Sequence, residues 1–137
     1  MGQSTERVLV YLIEDNLLIR ANLVAALVEL ANVEIVGEAA SEREATDWLR
    51  AHAGGWQLAV VDLFLAQGSG LGVLRACRTR RTSQKTVVLS NYVTSEMRRR
   101  CAELGADAIF DKSTEVDEFL AYCKDLAAPS LQRPGKP

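Results

Sequence analysis

The sequence predicts an α/β domain built on a parallel sheet, and three observations carry that expectation. Five short apolar runs recur along the chain, stretches with the spacing of amphipathic helices separate them, and the runs are continuously apolar rather than alternating. Continuous runs are what strands buried on both faces require. The 137 residues, 48% hydrophobic and 25% charged, suit one compact domain with a full core.

The strands are expected near residues 7–13, 33–38, 58–61, 86–89 and 108–110, where Val, Ile and Leu concentrate. In the second, Val33, Glu34, Ile35 and Val36 alternate partly, which suits an edge. After the first strand, Leu17, Ala21, Val24, Val28 and Ala31 keep the i, i+3, i+4 spacing of an amphipathic helix. Ala45, Trp48, Leu49 and His52 do the same in the second helix, whose start is marked by a capping box, Ser41 followed by Glu44. Leu71, Leu74 and Cys77 stripe the third helix; Met97, Cys101 and Leu104 stripe the fourth, which Gly105 ends. Thr114 followed by Asp117 is a weaker capping box before Val116, Phe119, Leu120 and Cys123 of the fifth. The expected organisation is (βα)5 over residues 7–128, with an N-terminal extension at 1–6 and a flexible tail at 129–137. That tail holds all three prolines and is too short for a second domain.

Several function classes are disfavoured. The apolar runs span only a few residues, against the roughly 20 needed to cross a bilayer, and the N-terminus lacks the apolar segment of a secretory signal. A cytoplasmic location is the expectation. Cys77, Cys101 and Cys123 are odd in number, without short metal-ligand spacing, and each falls on a helical stripe, so buried reduced thiols are expected. A formal net charge of −2 gives no argument for nucleic acid as a direct partner. The basic runs at Arg78, Arg80 and Arg81 and at Arg98, Arg99 and Arg100 are read as solvated helix faces or ends. His52 is read as a helix-end residue, and Trp48 and Trp56 as packing residues.

In an open parallel sheet, ligands bind beyond the carboxyl ends of the strands, where strand order reverses. The first strand ends in Glu14 and Asp15, the third in Asp62, the fourth in Ser90 and the fifth in Lys112. For the flavodoxin-like, doubly wound order 2-1-3-4-5, these polar residues converge on one crevice. Two carboxylates held 4 Å apart repel by about 4 kcal/mol at an effective dielectric near 20, so the crevice calls for a compensating charge. A hard cation with oxygen ligands, Mg2+, supplies it, and Mg2+ typically shares its shell with phosphate oxygens. Lys112 offers a point charge to a phosphoryl oxygen, the Ser90 hydroxyl a hydrogen bond, and an Asp carboxylate is a known nucleophile toward phosphorus. Taken singly, Asp15 has a helix cap, Lys112 a surface charge and Ser90 a strand end as ordinary roles; it is their joint placement on four strand ends that points to chemistry.

Glu14-Asp15, Val60-Val61-Asp62-Leu63 with Gly70, Leu89-Ser90 and Asp111-Lys112 together resemble the response-regulator receiver domain of two-component signalling, over about residues 7–127. The resemblance implies that Asp62 accepts the phosphoryl group and that Glu14, Asp15, Asp62 and the backbone carbonyl of Phe64 bind Mg2+. It also implies that Lys112 contacts the phosphoryl group and that Ser90 is the switch hydroxyl. Three positions depart from the family pattern. Ala66 stands where Pro is usual, Ser113 follows Lys112 in place of Pro, and Ile109 occupies the aromatic switch position.

The expected function is a stand-alone receiver phosphorylated by a sensor histidine kinase or phosphotransfer protein. It signals through altered binding of a downstream protein, with a phosphorylation-dependent dimer as one possible form. It is not an enzyme with turnover beyond its own phosphorylation and dephosphorylation. A hydrolase with an aspartyl-phosphate intermediate wants a second Asp two residues after the nucleophile, and Phe64 is there. The alternatives are a receiver fragment of a DNA-binding transcriptional regulator and a phosphorylation-independent interaction module. Phe64 and Tyr92 are expected to restrict access to Asp62.

Overall fold

The computed structural model describes residues 7–30, 32–91 and 93–127. The expected extension at 1–6, the tail at 129–137, Ala31 of the first stripe and Tyr92 lie outside the described residues. The elements alternate in chain order: β1 (Val8–Ile13), α1 (Leu17–Leu30), β2 (Val33–Ala39), α2 (Glu42–Ala51), β3 (Leu58–Val61), α3 (Gly70–Ala76), β4 (Lys85–Ser90), α4 (Ser95–Glu103), β5 (Ala108–Asp111) and α5 (Val116–Leu126). The five strands form one parallel sheet in the order β2-β1-β3-β4-β5. The predicted fold class and strand order are those observed, and each expected strand lies within one residue of its observed bounds.

Helices cover both faces. On one, Tyr11, Ile13, Ala59, Val61 and Val88 meet Ala45 and Leu49 of α2, Val73 and Leu74 of α3 and Cys101 of α4. On the other, Val10, Leu12, Val60, Val87 and Leu89 meet Leu23 and Leu27 of α1 and Phe119 and Cys123 of α5. The three central strands are buried on both faces, as their unbroken apolar runs require, whereas β2 and β5 at the edges are only partly so. All three cysteines are free and buried.

Two helix readings need correction. The face of α1 that packs on the sheet is the one with Leu23 and Leu27, helped by Ile19; Leu17, Ala21 and Val28 of the expected stripe point to solvent, and only Val24 is half-buried. Only Arg20, Asn22 and Glu29 are polar in α1, so periodicity offers two apolar stripes and does not choose between them. At α5 the N-cap is Glu115, not Thr114, and no side chain caps the helix. Glu115 Oε1 instead accepts from Asp111 N at 2.8 Å and from Arg98 Nη2 at 3.1 Å. The capping box of α2 is as read: Ser41 Oγ accepts from Glu44 N at 3.1 Å, and Glu44 Oε1 from Ala40 N at 2.9 Å.

Candidate functional site

The sheet register brings the polar strand ends together. Ile13 pairs with Val61 and Val61 with Val88, so the C-terminal ends of these strands stand side by side at one end of the sheet. Parallel hydrogen bonding runs one step further: Asp62 N donates to Ile13 O at 3.1 Å, Glu14 N to Ala39 O at 2.9 Å and Lys112 N to Ser90 O at 2.9 Å. The backbones of Glu14, Asp62, Ser90 and Lys112 are thus held by the sheet rather than by loops.

Their side chains form one network. Asp62, 6% exposed, accepts at Oδ1 from Ser90 Oγ at 2.8 Å and from Phe64 N at 3.2 Å, and at Oδ2 from Lys112 Nζ at 3.0 Å. Lys112 Nζ also donates to Glu14 Oε1 at 2.6 Å, and Glu14 Oε2 accepts from Asn16 N at 3.0 Å. Ser90 Oγ accepts from Leu63 N at 3.3 Å while donating to Asp62, which fixes the direction of its proton. Burial, reinforced by the neighbouring Asp62 charge, raises the Glu14 carboxyl above its usual range against the opposing hydrogen bond from Lys112. Burial also acts to lower Lys112, but its bonds to Glu14 and Asp62 outweigh it and hold the ammonium charged, with its pKa raised.

Asp15 completes an acidic cluster. Glu14, Asp15 and Asp62 each offer a carboxylate oxygen, all within 4.8 Å of one another. Three carboxylates against one ammonium leave an excess of negative charge, and all-oxygen donors at this spacing fit a hard divalent cation. Asp15 does not cap α1; Asn16 does, its Oδ1 accepting from Ile19 N at 2.9 Å. The Asp15 carboxylate turns instead to the β3–α3 loop, where Oδ2 accepts from Ala66 N at 2.5 Å. Proline at position 66 has no such N–H to give.

The same loop explains the glycine that follows Asp62. A Cβ at Gly70 would lie 2.2 Å from Asp62 O, so only glycine allows α3 to start this close to the site. Ser69 Oγ caps α3 by accepting from Leu71 N at 3.1 Å, and Glu42 of α2 grips Ser69 N at 2.8 Å. Phe64, two residues past Asp62, is 52% exposed at the mouth of the crevice. Beyond Lys112, Ser113 donates its N–H and its hydroxyl to Asp111 Oδ1 at 2.8 and 2.5 Å, and no peptide bond among the described residues is cis.

Sequence reasoning missed two groups of residues. Arg98 on α4 donates to Ile109 O at 3.3 Å and pairs with Glu115, which ties α4 to the β5–α5 loop beside Lys112. Arg80, read as a solvated charge, is structural: it donates to Cys77 O, Gln84 O and Gly105 O and pairs with Asp107 at 2.8 Å. Neither partner set is visible without the fold. His52 does cap the end of α2, its ring stacked on Trp48 and Trp48 in turn on Tyr11; Trp56 is buried.

Residues 10–124 match the family model of the response regulator receiver domain, and the chain belongs to that family. The acid tolerance regulatory protein ActR of Rhizobium meliloti is 36% identical over 78 residues, 57% of this chain and 37% of that protein. The DNA-binding transcriptional activator DevR/DosR of Mycobacterium tuberculosis is 29% identical over 119 residues, 87% of this chain and 54% of that protein. The chain thus spans about half the length, or less, of these relatives. In fold, it is similar to the signal receiver domain of the response regulator NarL from Mycobacterium tuberculosis, with a TM-score of 0.76 and 24% identity over 89% of this chain and 97% of that one.

Proposed function

We propose that Asp62 accepts a phosphoryl group from a phosphohistidine of a sensor histidine kinase or phosphotransfer protein, and that the altered surface then signals by changed binding of a partner protein. The observation that carries this reading is the network in which Ser90 and Lys112 both donate to a nearly buried Asp62 while Lys112 also pairs with Glu14. An Asp62 oxygen forms the new bond to phosphorus, the phosphorus–nitrogen bond of the donor breaks, and the histidine nitrogen keeps the electron pair. Lys112 Nζ and Ser90 Oγ, now bound to Asp62, are within reach of the incoming phosphoryl oxygens, where positioning and charge stabilisation are most of what the transfer requires. Glu14, Asp15, Asp62 and the Phe64 carbonyl would hold Mg2+. Bound there, it neutralises the carboxylates and the charge of the transferring group.

A protein donor must bring its histidine to Asp62 across the rim of the crevice. That rim includes Leu17 and Leu18, 69% and 71% exposed, and Phe64. The domain works in the cytoplasm in this reading and turns over no external substrate. A stand-alone receiver and the receiver of a DNA-binding regulator, the form of the relative DevR/DosR, fit this reading equally.

Intact-protein mass after incubation with acetyl phosphate tests the core claim. The expected result is a single phosphoryl adduct that requires Mg2+ and is lost in Asp62→Asn. An unmodified parent under all conditions would leave a phosphorylation-independent module.

A further inference from the structure

At the opposite end of the strands, the C-terminal ends of α2 and α3 and the loops that lead into β3 and β4 line a cavity of about 470 Å3, partly open to solvent. Leu49, Trp56 and Cys77 give it an apolar wall, and Arg50, Arg80 and Arg81 are its charged groups; no carboxylate lines it. In a chain of net charge −2, three guanidinium groups around one cavity are a local excess. Arg80 is committed to Asp107 and three backbone carbonyls. Arg50 meets Asp47 only at 3.6 Å, with both side chains largely in water, a contact of little energy. Arg81 is exposed, makes no ion pair among the described residues, and lies over Gly54, where a Cβ would meet its guanidinium at 3.4 Å.

The cavity is braced. Gln84, 4% exposed, donates from Nε2 to Ala53 O at 2.9 Å and Trp56 O at 2.8 Å, and its Oε1 accepts from Arg81 N at 3.0 Å. One buried side chain therefore ties both loops together and sets where Arg81 leaves the backbone. A volume of several hundred Å3 with an apolar lining and a few charged groups, on loops held in place by Gln84 and Arg80, suits a small-molecule site.

We propose that this cavity binds a small organic anion, its apolar body against Leu49, Trp56 and Cys77 and its carboxylate or phosphate head between Arg50 and Arg81. Guanidinium groups suit planar or phosphate oxygens in this role.

Amide NMR titration of the full chain with phenyl phosphate, benzoate and inorganic phosphate tests the site. The expected result is saturable shifts at Gly54, at Arg81 and at Thr79, which also lines the cavity, with phenyl phosphate or benzoate binding more tightly than inorganic phosphate. Arg50→Ala/Arg81→Ala should weaken binding about tenfold with an otherwise unchanged spectrum, and Asp62→Asn should leave binding as it is, which separates this site from the phosphoryl acceptor. Shifts that rise without saturation, equal binding of inorganic phosphate, or full binding by the double variant would overturn the proposal; the phosphoryl-acceptor reading would stand in each case.

Discussion

Two positions where this chain departs from its family's proline pattern turn out to be hydrogen-bond donors. Ala66 N–H holds Asp15 at the acidic cluster, and Ser113 N–H closes the turn after Lys112 on Asp111. Restoring proline at position 66 removes the donor and frees Asp15 to swing toward water. Ala66→Pro is therefore expected to weaken Mg2+ binding about threefold to tenfold, the worth of one hydrogen bond to a part-exposed carboxylate, with little change in thermal stability. Calorimetric titration with Mg2+ measures it, and undiminished affinity would show that Asp15 is positioned without Ala66. The residues of the Asp62 network were readable from the sequence because each interrupts an apolar strand run at the same end. The partners that aim them were less so: Asn16 and Ser69 are N-cap residue types whose role depends on where α1 and α3 start, and Ala66 acts through a backbone N–H that no side chain signals.

Among the elements, α1 shows where periodicity stops being informative. Its Leu17, Ala21, Val24 and Val28 repeat as regularly as Ile19, Leu23 and Leu27, and the sheet takes the second set. Strands were readable to within a residue because a buried parallel strand has no competing face. The outer stripe of α1 begins with Leu17 and Leu18 at the crevice, so Leu17→Ala/Leu18→Ala is expected to slow phosphorylation by a histidine kinase active on the parent at least severalfold while leaving the acetyl phosphate reaction unchanged. Equal rates with both donors would place the donor contact elsewhere. Where α4 meets the β5–α5 loop, the backbone bond from Asp111 and the Arg98 bond hold Glu115 below the usual carboxylate range. A depressed carboxyl adds stability above its unfolded pKa, and that stability is lost as pH falls through the folded value. Glu115→Gln should thus lower the melting temperature slightly at neutral pH and not at all in acid, where both proteins carry an uncharged group. A constant difference across that pH range would rule out a charge effect.

At the scale of the whole molecule the two ends of the strands are built in opposite ways. The end with Glu14, Asp15 and Asp62 gathers like charges at a cost in stability. The other end is braced by buried or half-buried polar groups, Gln84 across the loops into β3 and β4, and Arg80 across the loops into β4 and β5. Arg80 donates to three carbonyls and pairs with Asp107, which also accepts from Thr86 N at 2.8 Å. Arg80→Ala leaves those groups without their cation and should cost about 2–3 kcal/mol, a sizeable part of the 5–15 kcal/mol typical of a domain. For a chain of this size that is a fall of roughly 5–10 °C in melting temperature. Because none of these bonds reaches the crevice, the extent of phosphorylation by acetyl phosphate should match the parent at temperatures where both are folded. Thermal unfolding and intact-protein mass on the same samples check the two halves together. A stable Arg80→Ala would deny Arg80 its bracing role, and a folded variant that no longer takes phosphate would mean that the two ends are coupled through the sheet.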